Sequence, residues 1–176
     1  MHIALFGGSF DPPHLGHVLA ATYARSVGGA DEVWVLPVAE HAYHKSLSPW
    51  DQRWALCQAA FAGLGFVRVC DAERNNPGGF TFHLVCNLQR QHPGQRWSLV
   101  GGTDTALDLI NWHRGPELVT LVECLAVPRR GFDEHPAALP AISSSDLRSR
   151  LAQGRAVTGL VPAAVERMIA DRGWYR

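Results

Sequence analysis

The chain has 176 residues, 47% of them apolar and 18% charged, with 16 Lys and Arg balanced by 16 Asp and Glu. A chain of this length forms one domain with room for a full core, so neither disulfides nor a structural metal is required to hold it. A formal charge of zero leaves no basic excess to make a nucleic acid polymer or an anionic membrane the main partner, whereas a small anionic ligand needs only a local site.

Met1–Phe6 runs straight into glycines with no cationic segment or long apolar stretch, so no ordinary signal peptide is expected. No stretch approaches the about 18 apolar residues of a membrane span. A cytoplasmic location is the expectation. Short apolar runs predict strands at Ile3–Phe6, Glu32–Leu36, Phe66–Val69, Trp97–Val100 and Leu121–Val127. Helical segments alternate with them at His14–Val27, Pro49–Ala62, Phe82–Gln91 and Thr103–Leu109. Ser48 is expected to cap the second of these, with Pro49 in its first turn. The alternation predicts a Rossmann-like, doubly wound parallel α/β sheet.

Beyond the last strand, three prolines and a glycine make Pro128–Pro140 a long loop. Two further helices are predicted at Ser144–Gln153, capped by Ser143 or Ser144, and at Pro162–Arg172. One domain spanning 1–176 results, an α/β core over 1–128 and a helical C-terminal extension over 129–176. Cys57, Cys70, Cys86 and Cys124 form no CxxC pair and are expected to be buried, reduced thiols. Any homo-oligomer is left open.

The most informative stretch is Gly7-Gly8-Ser9-Phe10-Asp11-Pro12-Pro13-His14-Leu15-Gly16-His17, which joins the first strand to the first helix. In an open α/β sheet that is where ligands bind. Two glycines let the backbone approach an anion, and the helix start supplies amide donors. The glycine patterns of nicotinamide-cofactor dehydrogenases and of P-loop NTPases are both absent. His14 and His17 share one face of the first helical turn, where they can donate to phosphoryl oxygens. The remaining histidines lack metal-ligand spacing, so no protein-held metal is expected. Near the other end, Ile142-Ser143-Ser144-Ser145-Asp146-Leu147-Arg148 places hydroxyls at a helix start and an arginine one turn in, a second phosphate-binding pattern.

These two strings resemble the (T/S)xxHxGH and ISSTxIR signatures of the nucleotidyltransferase α/β-phosphodiesterase superfamily. Within it the chain is most similar to the bacterial nicotinate-mononucleotide adenylyltransferases, over nearly its full length. Gly102-Thr103-Asp104 with Asn111-Trp112-His113 resembles that family's GxD…W(Y/H) segment, and Phe80-Thr81 its (S)YT motif. Val127-Pro128-Arg129-Arg130 and the terminal Gly173-Trp174-Tyr175-Arg176 match its RRPG and GLYR regions.

The resemblance implies adenylyl transfer from ATP to nicotinate mononucleotide, giving deamido-NAD and pyrophosphate. It implies that His14, His17, Lys45 and Arg148 face the triphosphate. Gly7, Gly8, Ser9, Phe10, Gly102, Asp104, Ser143, Ser144 and Ser145 would complete the ATP site, with Mg²⁺ carried mainly by the phosphates. Trp112 would stack on the pyridine ring, and its carboxylate would meet the backbone amides of Phe82 and His113 and the Thr81 hydroxyl. The chain departs from the family at residues 38–45, which keep His44-Lys45 without the usual prolines, and at Ile110, two residues before Trp112. Nicotinamide mononucleotide and phosphopantetheine therefore stay open as acceptors, as does a catalytically silent nucleotide-binding role.

Overall fold

The computed structural model describes residues 1–40, 42, 46–130, 135, 136 and 138–176. Five parallel strands, β1 (His2–Gly8), β2 (Glu32–Pro37), β3 (Val67–Val69), β4 (Arg96–Gly102) and β5 (Glu123–Val127), lie in the order β3-β2-β1-β4-β5. Ile3, Ala4 and Leu5 at the centre are almost fully buried, as suits a sheet covered on both faces. The strand order reverses between β1 and β4, which opens a crevice at their C-terminal ends.

Among the described residues seven α-helices accompany the strands: α1 (Leu15–Ser26), α2 (Trp50–Phe61), α3 (Thr81–Gln91), α4 (Thr103–Asp108), α5 (Gly115–Leu121), α6 (Ser144–Ala152) and α7 (Ala163–Arg172). Alternate strand residues point to opposite faces, so the strands split their apolar side chains between two cores. Ile3, Leu5, Trp34, Leu36 and Trp97 meet Leu84, Val85 and Leu88 of α3 and Leu118 of α5. Ala4, Phe6, Val33, Val35 and Val100 meet Ala20, Ala21 and Ala24 of α1 and Cys57 and Phe61 of α2. Leu56 of α2 joins a third core with Leu147, Val157, Val161, Val165 and Ile169, which fastens the two C-terminal helices to the sheet domain.

Several expectations are corrected by the coordinates. Leu121 ends α5 rather than opening a strand, and β5 begins at Glu123. The Gly115-Pro116 pair looks like a breaker, yet proline in a first turn lacks only an N–H that the helix would leave unpaired anyway. Thr103–Leu109 is a shorter α4 continued by a 3-10 turn over Leu109–Asn111. Pro162 precedes α7 instead of opening it.

Ser48 does not cap α2. Its N–H donates to Asp11 Oδ2 at 3.1 Å and its carbonyl accepts from Arg53 Nε at 2.9 Å, so two buried charged groups claim its backbone. All four cysteines are free, but only Cys57 and Cys70 are buried, since Cys86 is partly and Cys124 largely exposed. Among the described residues no helix is long and apolar enough to cross a membrane.

Candidate active site

A cleft of about 580 Å³ lies at the C-terminal ends of β1 and β4. Its walls bring together Gly7, Gly8, Ser9, Phe10, His14 and His17 with Gly102, Ser143, Ser144 and Ser145, and with Thr81, Trp112 and His113 further along. Thirteen of the seventeen expected site residues line it; Lys45 lies outside the described residues, and Asp104, Phe82 and Arg148 do not line the cleft.

At one end stand the two histidines. His14 is the N-cap residue of α1, and its N–H donates to His17 Nδ1 at 3.1 Å. That bond makes Nδ1 the acceptor, so a neutral His17 carries its proton on Nε2. The rings stack with centroids 3.7 Å apart and planes 24° from parallel. Gly16 permits this, because a Cβ there would sit 3.0 Å from the His14 ring. Burial, then the nearby Arg129 cation, lowers the His14 pKa to about 4. Burial, then His14 and Arg129, holds His17 well below its ordinary value. Both imidazoles are thus neutral near pH 7, and Arg129, in the same cleft wall, supplies permanent charge.

Phe10 contributes more than close backbone. Its ring, 1% exposed, is wedged beneath the His17 ring at 4.8 Å and edge-on to Phe6 at 5.4 Å. To place it there the backbone adopts φ 47°, a left-handed conformation that a phenylalanine takes only when its surroundings enforce it.

The α6 start closes the same end. Ser143 Oγ accepts from the Asp146 N–H at 3.3 Å, confirming a serine cap, while Ser144 Oγ donates to the Pro12 carbonyl at 2.9 Å. Arg148 donates to the Asp11 carbonyl at 2.6 Å and to Ser145 Oγ at 3.4 Å, which places it behind the loop rather than in the cleft wall. Asp104 is exposed in the first turn of α4, folded back towards Gly102.

The other end is aromatic. His113 stacks on Phe80 at 4.2 Å and meets His83 edge-on at 5.2 Å. Trp112 is half-buried against the first core, and its Nε1 donates to Asp108 Oδ2 at 3.2 Å, which fixes the indole plane. Phe82 is buried with the Arg114 guanidinium 3.9 Å above its ring, and its backbone N–H belongs to the first turn of α3. Gly79, at φ 64°, has no room for a side chain, since a Cβ would lie 2.2 Å from the Glu40 carbonyl. Sequence reasoning missed Glu73 here. It lines the cleft at 3% exposure, takes a 2.8 Å hydrogen bond from Asn76 Nδ2, and has its carboxyl pKa raised by burial. Nothing in the polar run Asp71–Asn76 marks it for burial. Arg129 was visible only as part of a resemblance, with no role attached.

Comparison with known proteins agrees with this geometry. The cytidylyltransferase-like family model matches residues 5–150. A protein of Anaeromyxobacter dehalogenans named "Probable nicotinate-nucleotide adenylyltransferase" is 40% identical over 99% of this chain and 96% of its own. One of the same name from Thermus thermophilus is 34% identical over the whole of both chains. A solved structure of Plasmodium falciparum nicotinic acid mononucleotide adenylyltransferase complexed with NaAD superposes with a TM-score of 0.85 at 20% identity, covering 99% of this chain and 97% of that one, which establishes the shared fold. The chain belongs to the nicotinate-nucleotide adenylyltransferase family, within the cytidylyltransferase-like proteins.

Proposed function

We propose that this enzyme joins ATP and nicotinate mononucleotide into deamido-NAD, releasing pyrophosphate, as a step of NAD biosynthesis. The observation that carries the reading is one cleft holding a stacked, neutral histidine pair beside Arg129 at one end and Trp112 with Thr81 at the other. Full-length relatives named for the same reaction support it.

The acceptor's phosphate has a second pKa of about 6 and is largely a dianion at neutral pH, so no general base is needed to make it a nucleophile. One of its oxygens attacks the α-phosphorus of ATP, a P–O bond forms, and the bond to the bridging oxygen breaks as pyrophosphate departs. The protein's part is positioning and charge stabilisation. His17 Nε2–H donates to the α-phosphate as charge accumulates there, and His14 holds a neighbouring oxygen. Arg129 faces the same phosphates. Ser143, Ser144, Ser145 and the α6 N-terminus take the departing β- and γ-phosphates, with Lys45 assigned to the same group, while Arg148 supports the loop from behind. Gly7, Gly8 and Ser9 give the nucleotide close backbone, and Gly102 with Asp104 borders its ribose. Trp112 stacks on the pyridine ring, while Thr81 and the amides of Phe82 and His113 meet its carboxylate.

Among the described residues no three His, Cys, Asp or Glu side chains form a metal cluster. A donor set of hydroxyls, imidazoles and cations suits Mg²⁺ that arrives on ATP and keeps its waters, neutralising phosphate charge when bound. The reading is tested by pyrophosphate release with ATP and Mg²⁺, offering nicotinate mononucleotide, nicotinamide mononucleotide and phosphopantetheine in parallel. Preference for the first is expected. Preference for either of the others would overturn the acceptor assignment, and silence with all three would overturn the reaction.

A further inference from the structure

Asp11 is 2% exposed, lies outside the cleft wall, and has no part in the chemistry above, yet three separate pieces of chain converge on its loop. The Tyr175 hydroxyl, second from the C-terminal end, donates to Asp11 Oδ1 at 2.8 Å. The Ser48 N–H donates to Oδ2 at 3.1 Å. Arg148 Nη1 donates to the Asp11 carbonyl at 2.6 Å and lies 3.9 Å from Oδ2. Arg53, 1% exposed, bridges the Ser9 and Ser48 carbonyls at 3.0 and 2.9 Å, and Ser144 Oγ takes the Pro12 carbonyl at 2.9 Å.

The carbonyls of Ser9, Asp11 and Pro12 are therefore each bound by a side chain from elsewhere in the sequence. An ordinary surface loop would leave them to water. Two residues of the assembly, Phe10 at φ 47° and Tyr175 at φ 64°, sit in left-handed backbone that their side chains do not favour. Such strain persists only where the surroundings over-determine it. The loop leads within two residues into His14, so a shift of the loop is a shift of the histidine pair.

We propose that Asp11 and Tyr175 are positioning residues of the ATP site: the carboxylate, held by the tyrosine hydroxyl, clasps the loop of residues 9–12 to the returning chain at Ser48 and to Arg148. The end of the chain thereby sets the geometry of the phosphate-facing residues. Burial first, and then the Asp11 charge, raises the Tyr175 pKa, so its hydroxyl stays a donor across the physiological range. The inference rests on ATP occupying this cleft.

The test is titration calorimetry with ATP alone, in the absence of any acceptor, on the full chain and on Tyr175→Phe, Asp11→Asn and Asp11→Ala, well below the Tm of each. Loss of one hydrogen bond to a charged group predicts about tenfold weaker ATP binding in Tyr175→Phe. Asp11→Ala should lose more, and Asp11→Asn an intermediate amount, because its amide oxygen keeps one acceptor. Steady-state assays should show KM for nicotinate mononucleotide within about twofold of the full chain. Val165→Ala, which thins the third core without touching Asp11, lowers Tm and should leave ATP affinity unchanged. Unchanged affinity in Tyr175→Phe, or an equal loss in Val165→Ala, overturns the clasp. A full chain that binds ATP but releases no pyrophosphate overturns the proposed reaction instead and leaves the titrations decisive. A full chain that binds no ATP overturns both.

Discussion

The two ends of the cleft are built by different means. The histidine end is made of two short continuous pieces, residues 7–17 and 143–148, whose backbone is locked by partly buried hydrogen bonds and whose imidazoles share one stack. The aromatic end comes from the start of α3 and the turn after α4, with Phe80 and Trp112 half-buried and His83 and His113 exposed. Phosphate recognition needs donors at fixed positions, which demands a rigid frame. A planar ring needs a planar surface, and stacking tolerates lateral variation. Reaction class is accordingly written into the rigid end, and choice of acceptor into a few polar atoms at the adaptable one.

That contrast predicts unequal losses. His17→Ala should lower kcat by about 10²- to 10³-fold with the fold intact, as for loss of one preorganised donor, measured by pyrophosphate release. A near-normal kcat would remove His17 from the chemistry.

Acid should weaken the histidine end first. His14 has a folded pKa of about 4, below its unfolded value of 6.5, so the unfolded chain takes up the proton first. Its contribution is complete above pH 6.5 and is lost as pH falls towards 4. His14 alone then costs about 3 kcal/mol at the lower limit, and His17 adds to it in the same direction. Denaturant unfolding from pH 7 to pH 4 would reveal this slope, and His14→Asn should flatten it.

Trp112→Ala should raise KM for the pyridine mononucleotide about tenfold and leave KM for ATP nearly unchanged, the signature of lost stacking at one end only. Equal effects on both substrates would show that the two ends are not separable. The smallest effect is expected from Glu73→Gln. Its carboxyl pKa is raised by burial, so the charged form costs stability that is regained below the ordinary value of 4.5. The neutral amide keeps an acceptor for Asn76 and should raise Tm at pH 7 by a few degrees, with the difference closing in acid.

How much of this was legible depends on sequence distance. The five strands and most helices follow from runs of apolar residues, and His14 with His17 follows from a three-residue spacing on one turn. Helix α5 did not, because its Gly-Pro opening carries the same letters as a loop. Arg148 was assigned to phosphate from its place in a motif, whereas its guanidinium spans Asp11 and Ser145 behind the loop. The Asp11–Tyr175 bond joins residues 164 positions apart. Glu73 offers no local signal at all.

Local pattern alone was enough for the α/β alternation and the anion-ready loop after β1, which are consequences of backbone propensity, hydrophobic periodicity and residues a turn or less apart. The family came from the resemblance of whole motifs to known ones, which the comparisons then showed. Tertiary structure decided which charges face ligand and which hold the frame, the tautomer of His17, the lowered pKa of His14 and His17, and the meeting of Tyr175 with Asp11. Those depend on burial and on hydrogen bonds between segments that meet only once the sheet has formed and its three cores have closed around it.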